Sequence, residues 1–273
     1  MIPNHPFSKA FYKPKSAGKY IYIQTQKKIL EVRDRLWLKI ASKIGRNTIC
    51  RRLDGYEAHF RCSTMAEVEH YNINFQNERS ILSHALSQTT ADDIFYDIGA
   101  NTGLYACFVG QVAGETIAIE PQPENYQRLQ ENIELNNINS DSFELALSDS
   151  NTTTDLYVDP RGLKPGAGRS HLDRKQQDRE SVEIKTKTCT SLIADYNLPA
   201  PTIVKIDVEG AEMQVLNGME DILTQSRCHT VYCEIHGSHS QQPKSVCDYL
   251  ESLGFNLRSI SRGAQDLLIA TSD

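Results

Sequence analysis

The sequence predicts an α/β fold built around a mostly parallel β-sheet. From residue 92 onward, short apolar runs alternate with segments of helical periodicity, which favours a parallel sheet with helices on both faces. A glycine-punctuated turn joins the first run to the next helix, and segments 255–260 and 265–271 indicate a terminal hairpin at the sheet edge. The predicted strands are 94–98, 115–120, 141–147, 202–207 and 229–235, and the predicted helices are 103–112, 123–136, 211–217 and 243–253.

Residues 1–47 predict a basic, amphipathic helical extension. Gly45 is a natural helix end, and apolar residues recur at helical spacing at Ile29, Val32, Leu36, Ile40 and Ile44. Residues 1–52 hold 13 Lys and Arg against two acidic residues, a net charge of +11, whereas the remainder carries −17. The helix could lie on the protein's own acidic body, on a partner protein or on an anionic membrane surface. The sequence does not choose among these.

Residues 48–91 predict a hairpin and a helix that lead into the α/β body. Asp54 and Gly55 stand between two short, partly alternating runs within 49–62, which is the signal of a tight hairpin turn. A helix follows over 74–88. We therefore divide the chain into the extension 1–47, the lead-in 48–91 and an α/β domain 92–273.

Proline and glycine punctuate the helices of the α/β domain. Pro121 and Pro123 mark the start of the second helix, Pro243 lies in the first turn of the last helix, and Gly254 closes that helix. These positions support the order of elements given above.

Residues 148–190 interrupt the alternation with a polar segment that clusters Gly and Pro at its middle. Because this insertion follows the carboxyl end of the third strand, where ligands of open α/β sheets bind, we interpret it as a mobile substrate lid. A merely flexible insertion is the alternative. Arg169 and His171 within it are candidate substrate contacts.

Composition narrows the class of protein. No run of 18 apolar residues appears, which argues against a transmembrane helix, and the N-terminus has no apolar signal core. Seven cysteines without a C-x-x-C pair argue against a disulfide framework or a structural zinc site. We expect a cytoplasmic protein, and the basic helix adds peripheral membrane association as a second option. The acidic body and the lack of a nucleic-acid motif argue against a nucleic-acid partner.

The segment "DIGANTG", residues 97–103, is the first candidate ligand site. It follows a strand and opens a helix, and Glu120 comes 21 positions after Gly99, a spacing that suits hydrogen bonds to a ribose. The Gly-Lys-Ser/Thr ending of nucleoside triphosphate sites is missing. Asn101 stands where a pyrophosphate turn has glycine, and Asp97 would repel phosphates. S-adenosylmethionine, which carries an ammonium and a sulfonium but no phosphate, fits these residues best.

Four segments together resemble the FkbM family of methyltransferases: "FYDIGANTGLYACFVGQ", "AIEPQPENYQRLQENIELNN", "ELALSDSNTTTDLYV" and "TIVKIDVEGAEMQVLNGMEDIL". The most specific part is "KIDVEGAE", residues 205–212. Asn77, Glu78 and Arg79 also resemble that family's lead-in, so the resemblance covers about residues 48–260. It implies a Rossmann-like class I methyltransferase fold, with seven mostly parallel strands and an antiparallel terminal strand. It also implies S-adenosylmethionine as donor and O-methylation of a hydroxyl on a sugar or natural product.

Carried onto this chain, the resemblance assigns a set of cofactor-binding residues. The turn 97–103 surrounds the methionine part of the cofactor, Glu120 binds the ribose, and the backbone near Ala146 flanks the adenine, with Asp149 as a less specific neighbour. The expected cofactor-binding residues are Asp97, Gly99, Ala100, Asn101, Thr102, Gly103, Glu120, Pro121, Ala146, Leu147, Ser148 and Asp207.

Two further strand ends carry candidates for acceptor chemistry. A sugar hydroxyl is a poor nucleophile, so a general base or a metal helps to remove its proton. Asp207 and Glu209 follow one strand, and Glu234 and His236 end another; each pair shares a face if strand geometry persists. Asp207, Glu234 and His236 are also candidate ligands for Mg²⁺ or Ca²⁺, although we favour a reaction without metal.

The sequence therefore predicts an S-adenosylmethionine-dependent O-methyltransferase that acts on a hydroxyl of a sugar or glycosylated metabolite. Transfer to a nitrogen or carboxyl group of a small molecule or peptide is one alternative, and it needs no strong base. A non-catalytic module that keeps the cofactor fold is the other.

Overall fold

The computed structural model describes residues 28, 32–41, 43, 47–158, 165, 170–171, 180–225, 227–235, 242–261 and 266–272. Ile29, Ile44, Gly45, Arg169 and His236, which the sequence analysis singles out, lie outside these residues.

The strands are β1 (Thr48–Leu53), β2 (Tyr56–Arg61), β3 (Ile94–Ile98), β4 (Glu115–Ile119), β5 (Ser140–Phe143), β6 (Ala146–Leu147), β7 (Thr152–Val158), β8 (Ser170–His171), β9 (Glu180–Lys187), β10 (Ile203–Ile206), β11 (Thr230–Ile235), β12 (Asn256–Ser261) and β13 (Asp266–Thr271). The helices are α1 (residues 32–41), α2 (Met65–Glu69), α3 (Phe75–Gln88), α4 (Leu104–Val109), α5 (Pro123–Leu135), α6 (Cys189–Tyr196), α7 (Glu212–Asn217), α8 (Glu220–Leu223) and α9 (Gln242–Ser252). A π-helical segment, His70–Asn74, joins α2 to α3.

A seven-stranded sheet lies at the centre in the order β12-β13-β11-β10-β3-β4-β5. Strands β3, β4, β5, β10 and β11 pair in parallel, and β13 runs antiparallel to both β11 and β12. The predicted α/β fold with an antiparallel terminal strand is confirmed. The pairing of β3 with β10 sets Asp97 opposite Lys205, which places two charged residues side by side near the carboxyl edge of the sheet.

Apolar side chains cover both faces of this sheet. On one face, Tyr96, Ile117 and Val204 belong to a core completed by α6, α7, α8 and α9. On the other face, Phe95 packs with the β1–β2 hairpin, α3 and α4 in a second core. The lead-in thus contributes to the same core as the sheet, which fixes its position beside the carboxyl edge.

Asn132 of α5 and Asn136, which caps the end of that helix, hold the outer edge of the hairpin. The backbone N–H of His59 donates to Asn136 Oδ1 at 2.8 Å, and the N–H of Arg61 donates to Asn132 Oδ1 at 2.8 Å. Asn136 also donates from Nδ2 to the His59 carbonyl at 2.7 Å. The unpaired backbone groups of an edge strand can pair with another chain. Here the two side-chain amides take up those backbone groups instead.

The described part of α1 contacts the core with other residues than the apolar stripe. Its contacts with the core come from Trp37, Leu38 and Ala41, whereas the predicted apolar stripe faces outward: Val32 is 66% exposed, Leu36 57% and Ile40 52%. The three described residues of the stripe therefore do not face the core, and the amphipathic extension stays a prediction.

The strand predicted over 141–147 is wrong as a single element. A bend at residues 144–145 turns Leu145 into the core, so that β5 stays in the main sheet while β6 pairs with β9 in a second one. In that second sheet, ordered β6-β9-β7-β8, the strands β7, β8 and β9 come from the 148–190 insertion. Leu156, Val158 and Ile184 give it a small core of its own.

None of the described helices is long and apolar enough to cross a bilayer. All seven cysteines are free.

Candidate functional site

The glycine turn between β3 and α4 has a backbone that side chains would disrupt. Gly99 has a φ of +76°, and a Cβ there would lie 2.1 Å from the carbonyl oxygen of Asp207. Gly103 has a φ of +88°, and a Cβ there would lie 2.8 Å from Leu129 Cδ1. Asn101 adopts the left-handed region with a φ of 52°, which asparagine tolerates better than most residues. The backbone of the turn therefore lies directly against the residue that follows β10.

Buried hydrogen bonds hold this turn from two other parts of the chain. Tyr71 donates its hydroxyl proton to Thr102 Oγ1 at 2.6 Å. Asn132 donates from Nδ2 to the Thr102 carbonyl at 2.8 Å and to the Tyr71 hydroxyl at 3.0 Å. All three side chains are buried, so the network fixes the turn against both the lead-in and α5.

Glu120 lies at the end of β4 with its carboxylate turned back to the turn. Oε2 accepts from the N–H of Asn101 at 2.8 Å, and Oε1 accepts from the N–H of Gln122 at 3.0 Å. Burial raises the pKa of Glu120 to about 7, although both N–H groups oppose that shift. The carboxylate is thus joined to the glycine turn, as a ribose-binding acid would be.

Lys205 forms the centre of a charged cluster at the carboxyl edge. Its Nζ lies 3.1 Å from Asp207 Oδ2 and 3.6 Å from Asp97 Oδ1, and 4.7 Å from the centre of the Tyr105 ring. Burial lowers the pKa of Lys205, but the charges of Asp207 and Asp97 raise it by more, so the lysine stays protonated. Burial raises the pKa of Asp97, against the charge of Lys205 and a hydrogen bond from the Ala106 N–H.

Sequence reasoning missed Lys205, although one signal could have found it. Lys205 interrupts the short apolar strand Ile203–Ile206, and lysine is almost never fully buried unless it is paired. Its partner Tyr105 in turn donates a hydrogen bond to Glu78 Oε2 at 2.7 Å. Glu78 belongs to the lead-in helix α3, so this helix also reaches the cluster.

Two of the predicted acceptor-side residues, Asp207 and Glu234, lie within electrostatic range of Lys205. The side chain of Asp207 is 34% exposed and contacts Lys205, while the charge of Glu234 also raises the pKa of Lys205. Glu209 was expected to share a face with Asp207 if strand geometry persisted. That condition fails, because β10 ends at Ile206 and the chain bends at residues 209–210.

The residues expected near an adenine lie in the second sheet. Ala146 and Leu147 form β6, and both are buried. The N–H of Ser148 donates to the Lys187 carbonyl at 2.9 Å, and the Ser148 carbonyl lies 2.0 Å from a Cβ built on Gly218. The segment is therefore packed tightly against β9 and the end of α7. His171 pairs with Tyr157 in the β7–β8 ladder of the insertion.

The described residues of the carboxyl edge fit a lysine–carboxylate cluster better than a metal site. The ammonium of Lys205 already supplies the cation beside Asp207 and Asp97. Within the described ranges, three metal-ligand side chains approach one another on the β1–β2 hairpin instead, at Cys50, Glu57 and His59. Asp207, Glu234 and His236 stay a prediction as metal ligands.

Two acceptor atoms of this site are buried: Asn101 Oδ1 has no hydrogen-bond donor among the described residues, and Asp97 Oδ1 is ion-paired with the Lys205 ammonium at 3.6 Å. Buried acceptors favour a ligand that donates hydrogen bonds or carries positive charge, and they disfavour phosphate. The site therefore suits a cationic ligand.

The sequence model described as "Methyltransferase FkbM domain" matches residues 97–257, which is more than half of the chain and begins at Asp97. The chain belongs to the FkbM methyltransferase family. The resemblance noted from the four segments is confirmed, and the protein is a methyltransferase. The alternative of a non-catalytic module is set aside.

Two curated relatives of this FkbM chain are methyltransferases. The hexuronic acid methyltransferase AglP of Haloferax volcanii is 29% identical over 224 residues, which cover 82% of this chain and 87% of the relative. The 31-O-demethyl-FK506 methyltransferase FkbM of Streptomyces tacrolimicus is 26% identical over 186 residues, which cover 58% of this chain and 71% of the relative.

The fold of this FkbM chain is similar to that of a solved structure, methyltransferase FkbM from Methylobacillus flagellatus. The TM-score is 0.51 at 14% sequence identity, with 69% of this chain and 46% of that chain covered. At this identity the likeness concerns the fold alone, which agrees with the strand order described above.

Proposed function

We propose that this methyltransferase uses S-adenosylmethionine and methylates a hydroxyl of a sugar, with acidic sugars as the first class to test. The observation that carries the cofactor is the buried Asn101 Oδ1, which has no hydrogen-bond donor among the described residues, together with the buried carboxylate of Asp97 in the same turn. When bound, S-adenosylmethionine supplies a methyl group on a positively charged sulfur. Its ammonium matches the two acceptors, and its ribose hydroxyls match Glu120.

Lys205 and Asp207 support transfer to a hydroxyl. A hydroxyl must lose its proton to become a good nucleophile, and Asp207 is a partly exposed carboxylate at the edge of the site. Lys205, held protonated between two carboxylates, keeps Asp207 in place and stabilises negative charge that develops on the acceptor oxygen. Asp207 is therefore the proposed base, and Lys205 the proposed electrostatic partner.

The relative AglP supports a sugar as acceptor, because its name identifies a hexuronic acid. A hexuronic acid offers hydroxyls and a carboxylate, so transfer to the carboxylate stays the second candidate. A carboxylate is already a nucleophile and needs no base. Methylation of a hydroxyl therefore needs a general base, whereas methylation of the carboxylate does not.

The insertion 148–190 is proposed as a lid over the acceptor. The hydroxyl of Thr64, which caps α2, donates to the carbonyl of Pro165 in the insertion at 3.3 Å. This contact links the insertion to the lead-in. A covering lid would exclude water from the reacting groups.

The exposed stripe of α1 is proposed to contact an anionic membrane surface. Val32, Leu36 and Ile40 are more than half exposed, and the exposed basic residues Lys39 and Lys43 lie on the same helix. Apolar and basic side chains together suit the boundary of a membrane that carries negative headgroups.

The central test uses S-adenosylmethionine with a labelled methyl group and methyl glycosides of neutral sugars and uronic acids. We expect label on a uronic acid in a linkage that resists mild alkali, as an ether does, and loss of turnover in Asp207→Asn. An alkali-labile product with an active Asp207→Asn variant would identify the carboxylate as acceptor. Binding of NAD in place of S-adenosylhomocysteine would refute the proposed cofactor.

A further inference from the structure

The lead-in places a histidine at the site, upstream of the residues that the family model matches. His70 begins the π-helical segment His70–Asn74, and such segments are frequent at functional sites. Its neighbour Tyr71 is bound to Thr102 in the glycine turn at 2.6 Å. The backbone of His70 is therefore held beside the cofactor turn.

The two ring nitrogens of His70 have different surroundings. Nδ1 lies 3.2 Å from Nδ2 of Asn74, and an amide N–H can only donate. Nδ1 therefore accepts, and the proton of the neutral ring lies on Nε2. Nε2 is buried and has no hydrogen-bond partner among the described residues. A buried donor without an acceptor is unfavourable, so a bound ligand with an oxygen atom is the fitting partner.

The charges that act on the His70 ring come from β10 and the residue after it. Burial lowers the pKa of His70 to about 4, the charge of Asp207 raises it, and the charge of Lys205 lowers it. The ring thus lies within electrostatic range of both groups proposed to act on the acceptor hydroxyl. It is neutral at pH 7, so it donates a hydrogen bond without adding charge.

We propose that His70 binds the sugar acceptor, with Nε2–H donating a hydrogen bond to an oxygen beside the hydroxyl that Asp207 deprotonates. The inference rests on the proposed function, because it requires the acceptor to lie at this edge of the sheet. It also makes a specificity claim. An acceptor that lacks the neighbouring oxygen loses this bond and leaves the donor unpaired.

Kinetics with methyl glucuronide as acceptor test this role. Truncation in His70→Ala should raise KM about tenfold, the order of one hydrogen bond, with a smaller effect on kcat. Glutamine can present an N–H near the position of Nε2, so His70→Gln should restore KM to within about threefold of wild type. A His70→Gln variant with a kcat lowered a hundredfold or more (about 2.7 kcal/mol) and an unchanged KM would overturn the proposal and make the ring a proton acceptor.

His229→Ala is the matched control. His229 pairs with Asp93 at 2.9 Å, at the opposite end of the sheet, so its loss should leave KM for the acceptor unchanged. Binding of S-adenosylhomocysteine distinguishes a failure of the proposed function from a failure of the proposed role of His70. A wild-type chain that does not bind it defeats the proposed function, whereas a His70→Ala variant that binds it normally and keeps the wild-type KM defeats this inference alone.

A spectroscopic test needs no acceptor. Long-range ¹H–¹⁵N spectra of the full chain should show His70 neutral and protonated on Nε2 from pH 5.5 to pH 8. A ring protonated on Nδ1, or one that titrates near pH 6.5, would overturn the proposal whatever the acceptor is.

Discussion

The hydroxyl of Tyr71 donates a hydrogen bond to Thr102 Oγ1 at 2.6 Å, at a point where both side chains are fully buried. This bond joins the lead-in to the glycine turn, and Asn132 binds both partners from α5. The shape of the turn therefore depends on residues 31 positions before it and 30 positions after it.

Removing this hydroxyl should weaken both stability and cofactor binding. In Tyr71→Phe, Thr102 Oγ1 and Asn132 Nδ2 each lose a buried partner, which costs about 1–3 kcal/mol of the free energy of unfolding. Urea denaturation measures that loss, and calorimetric titration with S-adenosylhomocysteine measures the binding. Tyr96→Phe is the control, because it loses a hydrogen bond of 2.8 Å to Pro199, away from the turn. Equal affinity in both variants would contradict the link to the turn.

Neutralising Lys205 should be costly because it leaves two carboxylates without their cation. We expect Lys205→Met to lower the free energy of unfolding by about 3–5 kcal/mol, since Asp97 is buried and Asp207 lies beside it. The double variant Lys205→Met/Asp207→Asn should recover part of the loss, because it removes one of the repelling charges. Urea denaturation of wild type, Lys205→Met, Asp207→Asn and the double variant gives the coupling free energy between the two residues. A Lys205→Met variant as stable as wild type would show that the cluster is not held by charge.

The sequence predicted most of the sheet, because apolar runs, glycine turns and prolines act over a few residues. It could not predict that Leu145 bends the chain and sends β6 to another sheet, since that depends on tertiary packing. The same limit applies to the site. Asp97 and Glu120 follow from local pattern, whereas His70 comes within electrostatic range of Asp207 by the docking of the lead-in, which no local spacing records.

Substitution of Gly99 should lower the free energy of unfolding by more than the left-handed backbone alone would explain. Gly55 is a matched control: its φ is +91° with no atom within 4 Å of an added Cβ, whereas a Cβ at Gly99 meets the Asp207 carbonyl at 2.1 Å. We expect Gly55→Ala to cost about 1–2 kcal/mol of unfolding free energy, from backbone strain alone. Gly99→Ala should cost more and abolish binding of S-adenosylhomocysteine, because β10 must move. Similar losses in stability and binding for the two variants would contradict the close approach.

The α1 stripe should carry binding to anionic vesicles. Wild-type protein should sediment with phosphatidylserine vesicles at low salt and less at high salt, and it should not sediment with phosphatidylcholine vesicles. Replacing Val32, Leu36 and Ile40 with serine should reduce sedimentation without changing the unfolding midpoint, since these side chains are exposed. Failure of wild type to bind phosphatidylserine vesicles would show that something other than a membrane covers the stripe.

Binding of S-adenosylhomocysteine should release a proton from Glu120. Burial raises the pKa of this carboxyl to about 7, and ribose hydroxyls that donate to it favour its ionised form, so binding lowers that pKa. Because the free protein holds more protons than the complex below pH 7, affinity should rise with pH by up to about tenfold per unit and level off above pH 7. Titration calorimetry in buffers of different ionisation enthalpy counts the proton. Glu120→Gln should bind more weakly and lose the pH dependence, and a proton release that persists in this variant would assign the titration to another group.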